Sequence, residues 1–246
     1  MTTTTMPDKV ESFAHEKLKG QYRTRYHTQK LLKFLADPEN QLEKYDYEVL
    51  KRSQTQPVYL VPDFIENRSV VIKRYKTKNA WHALRRTVRR SRAENCWIYA
   101  DILQNLGVAI APPVAYIQEF LGVGLKGGSW YLSELLVGPS WLDHLRDSSD
   151  YTFQEHVVEQ IIDTLQLLWR HHITHGDMKG SNIILFNNQI VVLDLDSAKK
   201  HSGEAAARQR IGKDRERFLR NLKKDHRALY ELAQKKIHEA GFGALQ

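Results

Sequence analysis

The spacing of hydrophobic residues changes along the chain from a strand-like to a helix-like pattern. Residues 45–52, 57–64 and 68–75 are short runs rich in Val, Tyr and Ile, and turn-type residues separate them. This pattern predicts a meander of antiparallel strands. Two more strands are predicted within residues 108–122 and 127–136, joined by a glycine-rich hairpin.

Helical spacing appears in three further stretches. Residues 22–36 predict a short helix, and residues 79–105 predict a long one that closes at Gly107. Residues 153–172 predict another helix, whose apolar face carries Val157, Ile161, Leu165 and Leu168. Residues 1–20 show no clear period, and we expect a frayed lead-in there.

The order of these elements predicts an α+β protein with two lobes. Antiparallel strands and one long helix come first, and mostly helices follow the break at Gly138-Pro139. We expect an N-terminal extension and helix over residues 1–44, an N-terminal sheet lobe over residues 45–137, and a reduced helical C-terminal lobe over residues 138–246.

Composition narrows the class of protein. The chain has 246 residues, one cysteine and a net charge of +8, so no disulfide framework is expected. No apolar stretch approaches the roughly 18 residues of a transmembrane helix. Positive charge gathers in two segments, residues 67–93 with ten Lys/Arg and no acid, and residues 199–227 with eleven Lys/Arg and four acids. Such segments attract nucleic acids, anionic membranes or phosphorylated molecules.

Residues 175–182, called here the catalytic segment, carry the most specific motif, H-x-D-x-K-x-x-N. An apolar strand that ends in Asp194 follows it. Phosphoryl transfer in kinase-like folds needs this arrangement. Asp177 can accept the proton of an attacking hydroxyl, Lys179 can stabilise the transferring phosphoryl group, and Asn182 and Asp194 can hold a divalent metal. Each residue alone is common in turns, but the ordered set predicts a kinase.

The N-terminal lobe supplies candidates for nucleotide binding. Lys73 lies inside an apolar strand, where a lysine needs an anionic partner, and it matches the lysine that holds nucleotide phosphates in kinases. Glu94 is its predicted partner; the alternatives are a lysine that reaches solvent and a surface pair of Glu94 with Arg90. Backbone groups near Glu134 and Leu136 are expected to face an adenine ring.

The chain resembles the lipopolysaccharide core kinases, the Kdo and heptose kinases of the protein-kinase-like superfamily. The resemblance rests on THGDMKGSNIIL, VVLDLD, VIKRY, SRAENCW with LQNLGVAIAPPVAY, and DRERFLRNL, and it spans roughly residues 45–225. It implies that Asp177 is the catalytic base, that Asn182 and Asp194 bind Mg²⁺, and that Lys73 and Glu94 serve ATP.

The resemblance also implies a substrate and a location. The family transfers the γ-phosphate of ATP to a sugar hydroxyl of the lipid A–core, at the cytoplasmic face of the bacterial inner membrane. The expected partners are therefore an anionic glycolipid and a negatively charged membrane surface, and the arginines of Arg85-Arg86 and Arg89-Arg90 could form a stripe that faces them. No nucleic-acid recognition motif is present.

The sequence departs from the kinase pattern at three points. The loop at Ser53–Gln56 has no glycine, which predicts looser contact with phosphates. Gly176 replaces the arginine that reads a phosphorylated activation loop, and Asp196 replaces the glycine of D-F-G. We expect the 52 residues after Asp194 to be too few for a peptide-binding platform. Another small-molecule kinase and a nucleotide-binding pseudokinase remain the alternatives.

Overall fold

A computed structural model describes residues 9–77, 89–122 and 124–243. The chain divides into two compact units. The first contains Met1–Ile98 and Ala111–Leu135, and the second contains Tyr99–Ile110 and Leu136–Gln246. Both helices and antiparallel strands are present, so the α+β class predicted from the sequence is confirmed.

The first unit is built on a seven-stranded antiparallel sheet with the strand order β1-β2-β6-β7-β5-β4-β3. Its strands are β1 (Val10–His15), β2 (Leu18–Arg23), β3 (Glu48–Lys51), β4 (Val58–Ile65), β5 (Arg68–Tyr75), β6 (Pro113–Leu121) and β7 (Leu125–Glu134). The predicted meander corresponds to β3, β4 and β5, and the predicted glycine-rich hairpin corresponds to β6 and β7. The five strands predicted between residues 45 and 136 are thus confirmed.

The frayed lead-in predicted for residues 1–20 is wrong for the residues that the structure describes. β1 and β2 form a hairpin in which His15 pairs with Leu18, and β2 continues the sheet by pairing with β6. β1 is mostly exposed, and the inward positions of β2 include Gly20, so hydrophobic alternation is weak in both strands. The sheet therefore stabilises strands that the sequence pattern does not announce.

Two short helices cover part of this sheet. They are α1 (Gln29–Ala36) and α2 (Pro38–Leu42), and α1 begins at Thr28, whose hydroxyl accepts a hydrogen bond from Leu31 N at 3.1 Å. Such a cap satisfies one backbone donor of the first turn. Phe34 of α1 packs edge-on against Phe64 of β4, with ring centroids 5.4 Å apart. The helix predicted over residues 22–36 is thus present, but it starts later.

The third helix, α3 (Arg92–Asn105), is shorter than predicted within the described residues. Residues 79–88 of the predicted helix lie outside the described part of the chain, and with them Arg85 and Arg86 of the expected stripe. Arg89 and Arg90 precede α3 and are exposed. Ser91 and Glu94 form a reciprocal capping box, with N···O distances of 3.2 and 3.3 Å, which explains why the helix begins here.

The second unit is mainly helical. Its elements after residue 135 are α4 (Trp141–Asp147), α5 (Tyr151–Arg170), β8 (Ile173–Thr174), β9 (Ile183–Phe186), β10 (Gln189–Val192), β11 (Lys199–Lys200), α6 (Glu204–Leu222) and α7 (Arg227–Ile237). The predicted apolar face of α5 is buried, and Phe218 and Leu222 of α6 belong to the same core. Among the described helices, none is long and apolar enough to cross a membrane.

Two antiparallel pairs of strands frame the catalytic segment. β8 leads into it and pairs with β11. β9 and β10 follow it as a hairpin, which turns at Asn187 and Asn188, both with positive φ. Asparagine adopts this backbone conformation more readily than most residues, so these two residues suit the tight turn of the hairpin.

Candidate active site

The second residue of the catalytic segment is a glycine that no other residue could replace without strain. Gly176 has a φ of +82°, and a Cβ atom built on it would lie 2.6 Å from Ser197 O. Glycine alone adopts this conformation at little cost, and the contact leaves no room for a side chain. In the sequence, Gly176 stands where the kinase pattern has an arginine. The structure shows a steric reason for the glycine.

The side chain of His175 contacts the backbone at Asp177 and at Leu193, the residue before Asp194. Its imidazole is buried, its Nε2 lies 2.8 Å from Leu193 O, and its Nδ1 accepts a hydrogen bond from Asp177 N at 3.2 Å. These contacts assign the proton to Nε2. His175 thus ties the backbone of Asp177 to Leu193, the residue before Asp194, and so stabilises the loop.

The carboxylate of Asp177 is surrounded by donors but remains partly exposed. Its Oδ2 lies 3.3 Å from Asn182 Nδ2 and 3.3 Å from Lys179 Nζ. Its Oδ1 lies 3.2 Å from Arg217 Nη1. The side chain keeps 36% of its surface accessible, which leaves a face open to an incoming hydroxyl. A carboxylate oriented in this way can act as a general base.

Asn182 and Asp194 are brought to the same place by the β9-β10 hairpin. Asn182 donates from Nδ2 to Asp177 O at 2.8 Å, and its own backbone carbonyl accepts from Leu193 N at 2.9 Å. Asp194 follows two residues after β10, with a φ of +62° and a ψ of +63°. This hydrogen bond therefore holds Leu193, the residue before Asp194, against Asn182.

These two residues fit a Mg²⁺ site of the open kind. The Nδ2 of Asn182 is engaged with Asp177, which leaves the amide oxygen as a ligand, and Asp194 offers a carboxylate. The described residues contain no cluster of three or more His, Cys, Asp or Glu side chains that could form a closed metal cage. Mg²⁺ commonly takes only one or two carboxylates and completes its shell with phosphates and water, so this donor set suits it.

Helix α6 holds the catalytic segment through three residues that the motif analysis did not single out. Asp214 is buried and accepts from His175 N at 2.6 Å and from Gly176 N at 2.9 Å. Arg217 donates to Gly176 O, and Asn221 Nδ2 donates to Met178 O at 3.1 Å. The spacings of three and four residues place these side chains on one helix face. The pattern D-x-x-R-x-x-x-N within DRERFLRNL is the signal that could have revealed them.

Burial raises the pKa of Asp214 above the usual aspartate value, while His175, the two backbone N–H groups and Arg217 oppose this shift. Burial is the largest of these effects. The carboxylate is nevertheless matched to two N–H donors, one on each oxygen, so it anchors the start of the catalytic segment.

In the first unit, the structure gives Glu94 a partner other than the predicted Lys73. Glu94 Oε2 lies 3.2 Å from Lys126 Nζ, in addition to its capping role. The long helix predicted over residues 79–105 would have placed Glu94 in a helix interior. Because α3 begins at Arg92, Glu94 lies instead in the first turn, where a carboxylate caps the helix. Lys73 lies on β5, partly buried, opposite Val58 and Tyr131.

Glu134 ends β7, and its side chain is also engaged within the first unit. Its Oε1 accepts from Tyr26 Oη at 2.6 Å and from Arg68 Nη1 at 2.7 Å. Its backbone N–H donates to Pro112 O at 2.9 Å. Leu136 belongs to the second unit and is partly buried.

The loop over residues 52–57, called here the Ser53 loop, folds on a side chain where kinases have glycines. Ser53 Oγ accepts from Thr55 N at 3.3 Å and from Gln56 N at 3.1 Å. Such hydroxyl-to-backbone bonds stabilise a tight turn. Because these two N–H groups point to Ser53, they are not presented to a phosphate as a glycine-rich loop presents them.

Comparisons with known proteins agree with this geometry. Residues 139–236 match the family model of the RIO domain. A solved structure described as "WaaP in complex with acyl carrier protein" is similar to this chain, with a TM-score of 0.55 and 16% sequence identity. The similarity covers 86% of this chain and 95% of that chain. No curated protein matches the sequence.

The chain has the protein-kinase-like fold. The two findings also support the resemblance to lipopolysaccharide core kinases that the motifs predicted. A kinase-like fold with the catalytic segment described above supports an ATP-dependent phosphotransferase.

Proposed function

We propose that this protein is an ATP-dependent kinase that phosphorylates a sugar hydroxyl, on Kdo or heptose, of the lipopolysaccharide inner core. The observation that carries the proposal is the arrangement around Asp177, whose partly exposed carboxylate is oriented by Asn182, Lys179 and Arg217. This arrangement suits the activation of a hydroxyl for attack on a phosphoryl group.

In the proposed reaction, Asp177 accepts a hydrogen bond from the acceptor hydroxyl and takes its proton as the oxygen attacks the γ-phosphorus. The bond from the γ-phosphorus to the β–γ bridging oxygen breaks, and ADP leaves. Lys179, whose ammonium lies 3.3 Å from Asp177, is placed to offset the negative charge of the transferring group. Mg²⁺ held by Asn182 and Asp194 would neutralise charge on the phosphates.

Nucleotide binding is assigned to residues of the first unit and to Leu136, which follows that unit in the chain. We propose Lys73 as the residue that contacts the phosphates, and the backbone near Glu134 and Leu136 as the contact for adenine. Glu94 is paired with Lys126 in the structure, so holding Lys73 would require its carboxylate to contact that lysine as well.

The proposed acceptor accounts for the positive charge of the protein. A phosphorylated glycolipid and an anionic membrane surface both attract lysine and arginine, at about 1 kcal/mol for each basic residue near the surface. Segment 199–227 carries eleven such residues against four acids. We therefore place the protein at the cytoplasmic face of the inner membrane, as a peripheral protein.

The test compares Asp177→Ala with the wild-type protein. We expect phosphotransfer to lipopolysaccharide to fall by about 1,000-fold or more, because the base is removed. Melting temperature and Mg-ATP binding should stay close to wild type, since Asp177 is partly exposed. Asp163→Asn, on the outer part of α5, is the matched control. Retained turnover in Asp177→Ala would refute the assignment of the base.

The acceptor is tested by mass spectrometry of lipopolysaccharide from cells with and without the gene. Loss of one phosphate group from the inner core is the expected result, and an unchanged core would contradict the proposed substrate. The alternative of a pseudokinase is favoured by the Ser53 loop, whose engaged N–H groups weaken the case for tight nucleotide binding. A pseudokinase that binds nucleotide only weakly would show at most a small rise in melting temperature at millimolar Mg-ATP, and no phosphotransfer.

A further inference from the structure

A cavity of about 370 Å³ opens beside the catalytic segment within the second unit. Gly176 and Asp214 line it, so it adjoins the loop that carries Asp177. Four cationic side chains contribute to the same lining: Lys199, Arg210, Lys213 and Arg217. The volume lies within the range of small-molecule sites, which begins at roughly 300 Å³.

The cations converge because of helical spacing. Arg210, Lys213 and Arg217 follow one another on α6 at intervals of three and four residues, so they lie on one helix face. Lys199 reaches the cavity from β11, the strand that pairs with β8 just before the catalytic segment. Two separate elements therefore direct positive charge to one place.

This charge is poorly compensated. Within the described residues, Lys199, Arg210 and Lys213 have no carboxylate oxygen within 4.0 Å, whereas Arg208 on the same helix pairs with Glu204 at 2.6 Å. The acid that lines the cavity, Asp214, is buried and directs both oxygens to backbone N–H groups. Clustered cations without acidic neighbours attract an anion.

The pKa of a buried histidine that lines the same cavity is affected by these positive charges. His201 is 7% exposed, and its Nε2 lies 2.9 Å from Thr174 Oγ1. Burial lowers the pKa of His201, and the charges of Lys199, Arg210 and His172 lower it further. The nearby positive charge therefore disfavours the protonated form of His201 in addition to burial, and a bound anion would offset that charge.

We propose that this cavity binds a phosphate-type oxyanion, and that the anion is a group carried by the acceptor substrate. Arg217 connects the cavity to the chemistry, because its guanidinium contacts both Gly176 O and Asp177 Oδ1. An anionic group held here would therefore place a neighbouring sugar hydroxyl close to Asp177. The acceptor part of this inference rests on the proposed function, and the anion site itself does not.

The first experiment measures anion binding without turnover. Wild-type protein, the double variant R210Q/K213Q and the control variant R208Q are titrated with inorganic phosphate at constant ionic strength, and the melting temperature is followed. Arg210, Lys213 and Arg208 are exposed, so all variants should fold. Wild type and R208Q should show a saturable rise, and the double variant should bind phosphate about tenfold more weakly.

Two outcomes of this titration would overturn the site. One is an equal response to phosphate in R210Q/K213Q and wild type. The other is a wild-type response that sodium chloride alone reproduces. Neither result depends on ATP or on the identity of the acceptor. The anion site can therefore be refuted without refuting the proposed kinase activity, and the reverse also holds.

The second experiment identifies the source of the anion. With lipopolysaccharide as acceptor, R210Q/K213Q should raise KM about tenfold and leave kcat within about twofold, because the lost contact positions the acceptor and does not act on the reacting atoms. Prior removal of acceptor phosphates with a phosphatase should raise the wild-type KM similarly. If KM is unchanged in both cases while phosphate binding is weakened, the acceptor assignment is overturned, and free phosphate is the ligand.

Discussion

The catalytic segment and the Ser53 loop are held in very different ways. The catalytic segment is fixed at His175 and Gly176 by the buried carboxylate of Asp214, and its later residues are tied to α6 by Asn221. The Ser53 loop is folded by one hydroxyl, with a further backbone bond from Lys76 N to Thr55 O at 2.9 Å.

Under the proposed function, the difference suits what each part would have to do. A general base must stay within hydrogen-bond reach of a hydroxyl, so its loop is anchored by buried polar groups that are costly to disturb. A loop that covers a nucleotide must let it enter and leave, and a loop held by few partly buried bonds opens readily. The four predictions below test whether this contrast in anchoring is also a contrast in energy.

The largest effect is expected from Asp214→Ala. It leaves two buried N–H groups, those of His175 and Gly176, without their acceptors, at a cost of about 1–3 kcal/mol each. We expect the free energy of unfolding to fall by about 3 kcal/mol in urea titrations, and kcat to fall with it. Asp225→Ala, on the exposed turn after α6, should change stability by less than about 0.5 kcal/mol. Equal stability of the two variants would refute the anchoring role.

Arg217→Gln should separate orientation from stability. The side chain is 46% exposed, so removing its ion pair with Asp177 should change the free energy of unfolding by less than about 1 kcal/mol. We expect kcat to fall about tenfold, because Asp177 loses a donor that fixes its carboxylate. The control is Arg220→Gln on the same helix, and steady-state kinetics is the measurement. A loss of stability without a loss of kcat would contradict this role.

The pH dependence of stability tests the burial of Asp214. Its raised pKa means that the folded state binds more protons than the unfolded state above the ordinary pKa of 3.8. The stability that Asp214 contributes relative to Asp214→Asn should therefore fall as pH rises through the folded-state pKa, and then level off. Urea titrations of both proteins between pH 4 and pH 8 give this difference. A difference that grows with pH would show that the backbone hydrogen bonds outweigh burial.

The smallest effect is expected from Ser53→Ala in the Ser53 loop. The variant loses two hydroxyl contacts in a partly buried turn, so stability should fall by about 0.5–1 kcal/mol. The affinity for Mg-ATP, measured by calorimetry, should change by less than about threefold, since the freed N–H groups can meet phosphates instead. Ser12→Ala on the exposed strand β1 is the control. A tenfold loss of affinity would show that this loop is as firmly specified as the catalytic segment.

The sequence predicted the elements whose patterns are strong. β4 and β5 have dense β-branched and aromatic residues with a clear turn between them, and α5 has a continuous apolar face. β1 and β2 were missed because β1 is mostly exposed and the buried positions of β2 include Gly20 and Arg23, so neither strand shows a clear hydrophobic alternation. β1 pairs with β2, and β2 pairs with β6, which lies about a hundred residues away in the chain.

The candidate site divides in a similar way. The chemistry-bearing residues of the catalytic segment follow one another closely, so a short motif reveals them. Asp214 contacts backbone atoms 38 and 39 residues away, and no local pattern records such a contact. Glu94 was predicted to pair with Lys73 because the run of arginines before it was taken as part of the helix. Ser91 and Glu94 nevertheless form a recognisable capping signal for the start of α3.

The close approach of Gly176 to Ser197 also limits how this protein could evolve. The arginine that protein kinases carry at this position serves as a sensor of loop phosphorylation, and acquiring it here would require a single change of residue. That change would force a side chain into a backbone carbonyl and a bulky residue into a left-handed conformation. The neighbouring turn would have to be rebuilt first, so control of the proposed kinase by its own phosphorylation would need more than one substitution.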